Sequence, residues 1–248
     1  QPLDAYQAQN RGGTGKRAAS LKDEDFVSKL FVANTHDTLL CFSSYGKVYW
    51  IKVYRLPRGG RNAKGRPIVN LLPLEKDERI QAVLPVKEFN DDQFIFMATE
   101  SGSVKKTKLS AYSRPMKSGI KAIKLREGDR VVNAEITDGS KEIMLFSNSG
   151  KSIRFKETDA RPMGRVSQGV RGMRIEKDQR IISLVVLEEG NILVATENGF
   201  GKQTLKDEFS IQKRGGKGVI AIQTSKRNGN LIGANQVRTG DEVMFIST

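Results

Sequence analysis

The sequence predicts an all-β fold, a propeller-like array of four-stranded blades with a repeat of about 50 residues and about five blades represented. Three landmarks recur at this one period: a hairpin glycine, a loop glycine and an acidic turn. No stretch sustains an apolar period of 3.6 residues, so the sequence does not indicate helices. About four short strands per unit of this length is the pattern of a propeller blade.

The first landmark is a hairpin. It begins with an apolar run, which is followed by a Ser or Thr, two further residues and a Gly. A basic or β-branched stretch comes next. This pattern ends at four glycines, Gly46, Gly102, Gly150 and Gly199. A short Gly-containing turn between these two stretches predicts a pair of antiparallel strands at each of these positions.

The second landmark is a loop glycine that follows each hairpin pattern at the same period. The five members are Gly15, Gly65, Gly119, Gly169 and Gly218. Most of them open a further alternating apolar stretch, such as 68–72 or 120–125, which predicts another strand. The third landmark is an acidic turn, at Asp77, Asp129 and Asp178, that leads into an apolar run.

The repeat favours one continuous array over residues 1–248 rather than separate domains. The expected units lie near 1–25, 26–75, 76–126, 127–176 and 177–226, with a partial unit at 227–248. The last residues, 243–248, have the pattern of the first strand of a further hairpin. Because the repeat begins and stops inside units, we expect the chain to be a piece of a longer protein.

The composition excludes several kinds of site. With one cysteine, Cys41, and one histidine, His36, the chain has no internal disulfide framework and no Cys/His metal cluster. No carboxylate pair or Ser/His/Asp set emerges, so we expect no catalytic residue and no metal site. Neither a signal peptide nor an apolar stretch near the ~18 residues of a membrane span is present, and we expect a cytoplasmic protein.

The positive charge is distributed periodically. The net charge is +14, and all 28 Asp and Glu lie outside five windows, 5–22, 38–74, 101–126, 160–175 and 209–240. These windows hold 29 of the 42 Lys and Arg, and each window contains one loop glycine. Equivalent positions of a blade array lie along one surface, so we expect a continuous basic rim.

A rim of Lys and Arg is suited to a polyanion held along its length, and duplex DNA carries one charge per ~1.7 Å of axis. Aromatic residues amount to 7%, too few for the stacking platforms of single-strand binders, which favours contact with a duplex backbone. The predicted DNA-binding residues between the ends of the array are Arg58, Arg61, Lys64, Arg66, Arg114, Lys117, Lys121, Arg161, Arg165 and Arg171.

A Gly- and Arg-rich box occurs twice, and its type suits phosphate because glycines let backbone N–H groups approach and Arg supplies a forked donor. The predicted DNA-binding residues of the first copy are Gln9, Arg11, Gly12, Gly13 and Gly15, followed by Lys16 and Arg17. Those of the second copy are Gln212, Lys213, Arg214, Gly215, Gly216, Lys217 and Gly218.

The first box, preceded by Leu3-Asp4-Ala5-Tyr6, resembles the Gln-Arg-Arg-Gly-Gly-Lys-Gly box of the C-terminal domain of the DNA gyrase A protein. The likeness covers essentially the whole chain and extends through 32–37, 65–74, 104–107 and 169–172. Two residues of the first box, Asn10 and Thr14, replace basic residues of the family box. The second copy departs from it only by Lys213 in place of Arg.

This resemblance implies a β-pinwheel, in which neighbouring blades exchange strands, and a non-catalytic domain that wraps duplex DNA around its basic rim. It implies as partners the gyrase A catalytic core and the gyrase B protein in an A2B2 type IIA topoisomerase that introduces negative supercoils. No cofactor is expected in this domain, since ATP and magnesium would be used elsewhere in the holoenzyme.

Two alternatives stay open from the sequence. One is the related domain of topoisomerase IV, which selects substrate and need not wrap DNA; the intact box argues against it. The other is a propeller-like module that binds a protein, with its basic loops against an acidic partner.

Overall fold

The chain folds into consecutive antiparallel sheets in a computed structural model that describes residues 32–59, 63, 65–241 and 243. The strands are β1 (Thr38–Ser43), β2 (Lys47–Lys52), β3 (Ile80–Val86), β4 (Phe94–Thr99), β5 (Ser103–Lys108), β6 (Ile120–Lys121), β7 (Val131–Thr137), β8 (Glu142–Ser147), β9 (Lys151–Lys156), β10 (Val170–Arg171), β11 (Ile181–Leu187), β12 (Asn191–Thr196), β13 (Gly201–Leu205), β14 (Val219–Ile220) and β15 (Leu231–Val237). Short 3-10 turns span Val53–Arg55, Ile68–Asn70, Leu109–Tyr112, Glu157–Asp159 and Lys206–Glu208. Among the described residues there is no apolar helix of membrane-spanning length.

Each of the first three sheets is completed by a strand from further along the chain. The strand orders are β3-β1-β2-β6, β7-β4-β5-β10 and β11-β8-β9-β14 in these sheets, and β15-β12-β13 in the fourth. The short strands β6, β10 and β14 pair with the sheet that precedes their own unit, at the outer strands β2, β5 and β9. The all-β fold with four-stranded, strand-exchanging blades is therefore confirmed. The described residues contain three four-stranded blades and a three-stranded fourth.

All four predicted hairpins are present. The hairpin glycines Gly46, Gly102, Gly150 and Gly199 each have a positive φ between +75° and +84° and lie in the turn between two paired strands. The acidic turns also lie where the sequence indicates, since β3, β7 and β11 begin two or three residues after Asp77, Asp129 and Asp178.

At the first three sheets, the hairpin glycine and the loop glycine are also required by close contact between the hairpin and the segment exchanged onto it. The Gly150 carbonyl accepts hydrogen bonds from the N–H groups of Ala221 and Ile222, at 2.8 and 3.2 Å. A Cβ on Gly150 would lie 2.1 Å from the Ile222 carbonyl oxygen, and a Cβ on Gly218 would lie 2.3 Å from that of Ser152. The same pattern of contacts recurs at the first and second sheets. Only glycine permits this docking.

The core lies between the sheets because the central strands β1, β4 and β8 are buried on both faces. In β4, Ile95 and Met97 pack toward the first sheet, while Phe96 and Ala98 pack toward the third. All four side chains are fully buried, and a separate apolar cluster fills each interface between successive sheets. The single cysteine, Cys41, is part of this buried core and is 1% exposed in β1.

Of the strands predicted from the sequence, one is absent from the structure and another is shorter than predicted. Residues Ile68–Asn70 form a 3-10 turn, and the stretch 120–125 is a strand only at Ile120–Lys121. The later exchanged segments pair with the sheet before them, whereas no sheet precedes Thr38 in the described part of the chain, so residues 68–72 have no edge to join. The predicted strand at 243–248 lies outside the described residues apart from Val243.

Candidate nucleic-acid interface

The loop glycines and the short exchanged strands lie at the outer edge of the sheets. The strands at the opposite edges, β3, β7, β11 and β15, pack side by side and line a central cavity of about 610 Å³. The strand order in each sheet therefore places β6, β10 and β14 farthest from the centre. The loops that lead into these strands form the outer rim of the array.

Of the cations predicted to bind DNA, Arg58 and Arg66 lie before the 3-10 turn Ile68–Asn70, and the other described ones lie in the rim loops or on the exchanged strands. Eleven of these predicted cations are described. Nine of them are exposed, and the other two, Arg165 and Arg214, are half-buried. The exposed set is Arg58, Arg66, Arg114, Lys117, Lys121, Arg161, Arg171, Lys213 and Lys217. Of the remaining predicted residues, Gln9, Arg11, Gly12, Gly13, Gly15, Lys16, Arg17, Arg61 and Lys64 lie outside the described residues.

The predicted DNA-binding cations have no carboxylate partner in the described part of the chain. None of the eleven forms an ion pair with a carboxylate of a described residue. Some lysines and arginines on or beside the strands do form such pairs, as in Lys151 with Glu176 at 3.4 Å and Arg238 with Glu188 at 2.8 Å. The rim charge is thus left unneutralised by the described residues.

The second box is a loop docked on the third sheet. The Gln212 N–H donates to the Arg154 carbonyl at 2.8 Å, and the Gly215 N–H donates to the Gly172 carbonyl at 2.6 Å. Gly215 and Gly218 have φ values of +86° and +73°. In the structure these glycines serve the contact between the box and its neighbouring backbone, while Lys213 and Lys217 extend into solvent.

The half-buried arginines donate to main-chain carbonyls of the preceding loop. Arg165 Nη1 lies 3.1 Å from the Lys121 oxygen, and Arg214 Nη1 lies 3.0 Å from the Arg171 oxygen. Arg214 Nε also donates to the Asp159 carbonyl at 2.8 Å. A sequence signal for this contact exists, because both arginines stand four residues before a loop glycine.

A buried lysine lies directly beneath one of these contacts. Lys105 on β5 is 0% exposed, and its Nζ donates to the Ala122 carbonyl at 2.5 Å. Burial, with a smaller contribution from the nearby Arg165 charge, lowers the pKa of Lys105 to about 7. The end of the first exchanged segment is therefore held by two cationic side chains, Lys105 and Arg165.

A second set of contacts between sheets was missed by sequence reasoning. Trp50, Lys106 and Arg154 occupy equivalent positions in β2, β5 and β9. Each donates to a carbonyl in or beside the 3-10 turn of the next unit: Trp50 to Tyr112 at 2.8 Å, Lys106 to Glu157 at 3.2 Å and Arg154 to Phe209 at 3.0 Å. Because the three side chains are chemically unlike, their shared role has no signature in residue type.

Comparisons with known proteins fit this architecture. A family model described as the DNA gyrase C-terminal domain, beta-propeller, matches residues 1–34, 37–87, 93–138, 141–188 and 190–238. The last four of these segments each contain the three longer strands of one sheet. Similar curated proteins include the DNA gyrase A proteins of Salmonella typhimurium, 53% identical over the whole chain, and of Escherichia coli K12, 52% identical. The chain spans 28% of the length of each of them.

Two solved structures carry the same fold. A C-terminal domain of DNA topoisomerase IV superposes with a TM-score of 0.76 at 29% identity, covering 82% of this chain and 64% of that one. A DNA gyrase A C-terminal domain gives a TM-score of 0.72 at 26% identity, covering 95% of this chain and 77% of that one. With the family model matched along nearly all of its length, the chain belongs to the DNA gyrase C-terminal domain family.

Proposed function

We propose that this domain binds duplex DNA along its basic rim and wraps it with a fixed handedness. The observation that carries the proposal is the set of predicted DNA-binding cations, nine of them exposed and seven of these nine on the rim, with no carboxylate partner among the described residues. An unpaired surface cation is free to exchange its counterions for a DNA phosphate, which is the main source of sequence-independent affinity.

Contact with the duplex backbone suits this rim better than base stacking does. The exposed aromatic side chains among the described residues are Tyr54 and Phe200, and an arginine lies over each ring. Single-strand binders instead offer a series of aromatic platforms for successive bases. The rim therefore supports recognition of phosphate positions without reading of sequence.

Wrapping requires several sheets to act together. Bending 20–30 base pairs by 40–90° costs on the order of 1–6 kcal/mol, more than the phosphate contacts of one loop would offset. The repeated docking of each exchanged segment on the sheet before it holds the loops of successive sheets in one array. A rigid array lets the contacts of several loops add along one bent duplex.

In the longer protein we propose that the domain serves gyrase without catalysing a reaction itself. It would present DNA, in the cytoplasm, to the gyrase A catalytic core and the gyrase B protein of an A2B2 enzyme, in which ATP and magnesium act elsewhere and negative supercoils result. The curated relatives at 52–53% identity are gyrase A proteins, which favours this assignment over a topoisomerase IV-type substrate-selecting domain.

Ligation of nicked circular plasmid in the presence of the purified chain tests the wrapping. We expect a shift of the ligated topoisomers toward positive supercoiling that grows with protein concentration. DNA binding with no shift in linking number would contradict wrapping and would leave a module that only clamps DNA.

The salt dependence of affinity tests the rim itself. With ten or more phosphates engaged, log K should fall with log salt at a slope near −9 or steeper, at about −0.9 per contact. The double variant K121Q/R171Q should make the slope shallower by about 1.8 for two lost contacts. K108Q/K156Q removes two exposed strand-end lysines and serves as the matched control, which should keep the original slope. A slope near −2 for the unmodified chain would contradict a rim interface.

A further inference from the structure

The two half-buried rim arginines form a repeated contact between successive loops. Arg165 stands four residues before Gly169 and donates to the residue two after the previous loop glycine, Lys121. Arg214 stands four residues before Gly218 and donates to the equivalent residue of its own preceding loop, Arg171. The two distances, 3.1 and 3.0 Å, agree, so one geometry occurs at two successive joints of the rim.

The partners of these arginines are main-chain groups rather than open solvent. Arg214 has two of its donor nitrogens directed at carbonyls, Nε at Asp159 and Nη1 at Arg171. A guanidinium presents its donors in a planar fork, so directing part of the fork at protein carbonyls fixes its plane. The protein therefore sets the orientation of this guanidinium, and fewer of its five N–H groups are left to face a phosphate.

The carbonyls that accept these bonds belong to the residues that carry exposed charge. Lys121 and Arg171 lie on β6 and β10, the outermost strands of their sheets, and both side chains are exposed. Their main chain is paired on the inner side with β2 and β5 over only two residues. The residues that follow each strand are held by hydrogen bonds to the carbonyls of Gly46 and Gly102, and the arginine contact adds a further tie at the strand itself.

We infer that Arg165 and Arg214 are positioning residues that tie each basic loop to the edge strand before it and so set the spacing of the exposed cations. The inference rests on the proposed DNA binding, in which Lys121, Arg171, Lys213 and Lys217 contact phosphate. The loop arginines define how far apart these cations stand along the duplex. Chiral wrapping then depends on Arg165 and Arg214 even though they contribute no phosphate contact of their own.

The residue four positions before the loop glycine can be compared in the other loops. Arg11 and Arg61 also stand four residues before a loop glycine, whereas Pro115 occupies this position in the loop before Gly119. Proline has no side-chain donor, so the joint that would be tied from residue 115 lacks this contact. The inference is confined to the two arginines whose contacts the structure describes.

The test compares R165Q/R214Q with K213Q/K217Q, which removes two exposed cations from the same rim. For R165Q/R214Q we expect the salt slope to stay within about 0.5 of the unmodified chain, since no phosphate contact is lost, while the linking-number shift per bound protein falls at least twofold. Without DNA, hydrogen exchange of peptides covering 120–125 and 169–175 should accelerate at least tenfold. For K213Q/K217Q we expect a slope shallower by about 1.8 and unchanged exchange.

A slope shallower by about 1.8 in R165Q/R214Q, or unchanged exchange in those two peptides, would overturn the inference. The charge-conserving variant R165K/R214K gives an independent check, because Lys keeps the charge and loses the planar fork. It should accelerate exchange as the Gln variant does; exchange identical to the unmodified chain would also overturn the inference. If the unmodified chain shows neither steep salt dependence nor a linking shift, the proposed DNA function fails, and the exchange comparison still decides whether the arginines position the loops.

Discussion

The buried lysine beneath the first exchanged segment makes stability depend on pH. Lys105 is fully buried, its Nζ donates to the neutral carbonyl of Ala122, and its pKa is lowered to about 7. An unfolded chain holds this proton up to the ordinary lysine pKa of about 10.4. Between these values the unfolded state binds more protons than the folded state, so the free energy of unfolding rises as pH increases.

The size of the effect follows from the two pKa values. The folded state is half-protonated at pH 7 and nearly deprotonated at pH 9, while the unfolded state stays protonated throughout. At about 1.36 kcal/mol per pH unit for a full proton difference, this group raises the free energy of unfolding by about 2 kcal/mol over that range. The folded state gains stability because deprotonation removes a positive charge from the buried Lys105 side chain, which is costly to hold away from water.

Urea unfolding at pH 7, 8 and 9 measures this dependence, with K105M as the matched variant that keeps an unbranched side chain without the charge. As pH rises from 7 to 9, the unfolding free energy of the unmodified chain should gain about 2 kcal/mol relative to that of K105M. Burial raises the pKa of Cys41 to about 12, and any contribution from this thiol is common to both proteins and cancels.

A second variant, K156M, changes an exposed lysine at the end of β9 and should keep the pH dependence of the unmodified chain. If K105M shows the same dependence as the unmodified chain between pH 7 and pH 9, the reasoning is refuted, since the titrating group then lies elsewhere.

Three further substitutions test the contacts between sheets, each by urea unfolding. G150A should lower the free energy of unfolding by at least about 2 kcal/mol more than G199A does. Both glycines have φ +79°, but only a Cβ on Gly150 meets a backbone oxygen of the exchanged segment. Equal losses of stability would contradict the docking contact. E157Q should lower the free energy of unfolding by about 3 kcal/mol, because it leaves the 4%-exposed Lys106 without its charge partner. A loss below about 1 kcal/mol would show that the ion pair is dispensable for stability. W50F should cost about 1 kcal/mol through loss of one hydrogen bond between sheets, and an unchanged stability would contradict that contact.

The hairpins could be predicted from the sequence because their cause is local. A residue at positive φ in a tight turn requires glycine, so the turn at Gly102 is visible in one short window of sequence. The loop glycine Gly169 was equally visible, but the Val104 carbonyl that demands it lies 65 residues earlier in the chain. Periodicity therefore located these glycines without revealing what they touch.

The candidate site was only partly accessible to the same reasoning. The exclusion of acids marks the rim in the sequence, and the exposed side chains of Lys121 and Arg171 lie there. Charge alone does not separate them from Arg165 and Arg214, whose guanidinium groups bond to main-chain oxygens. That separation depends on distances between loops about 44 residues apart, which residue type does not encode.

Strand exchange also sets an order of folding during synthesis. The first sheet contains strands from residue 38 to residue 86, but its fourth strand is Ile120–Lys121, which a ribosome makes only after the hairpin of the second sheet. Each nascent sheet therefore keeps an open edge until most of the following unit has emerged. That edge closes once the chain's own next segment has been made, and until then it is open to pairing with a strand of another molecule.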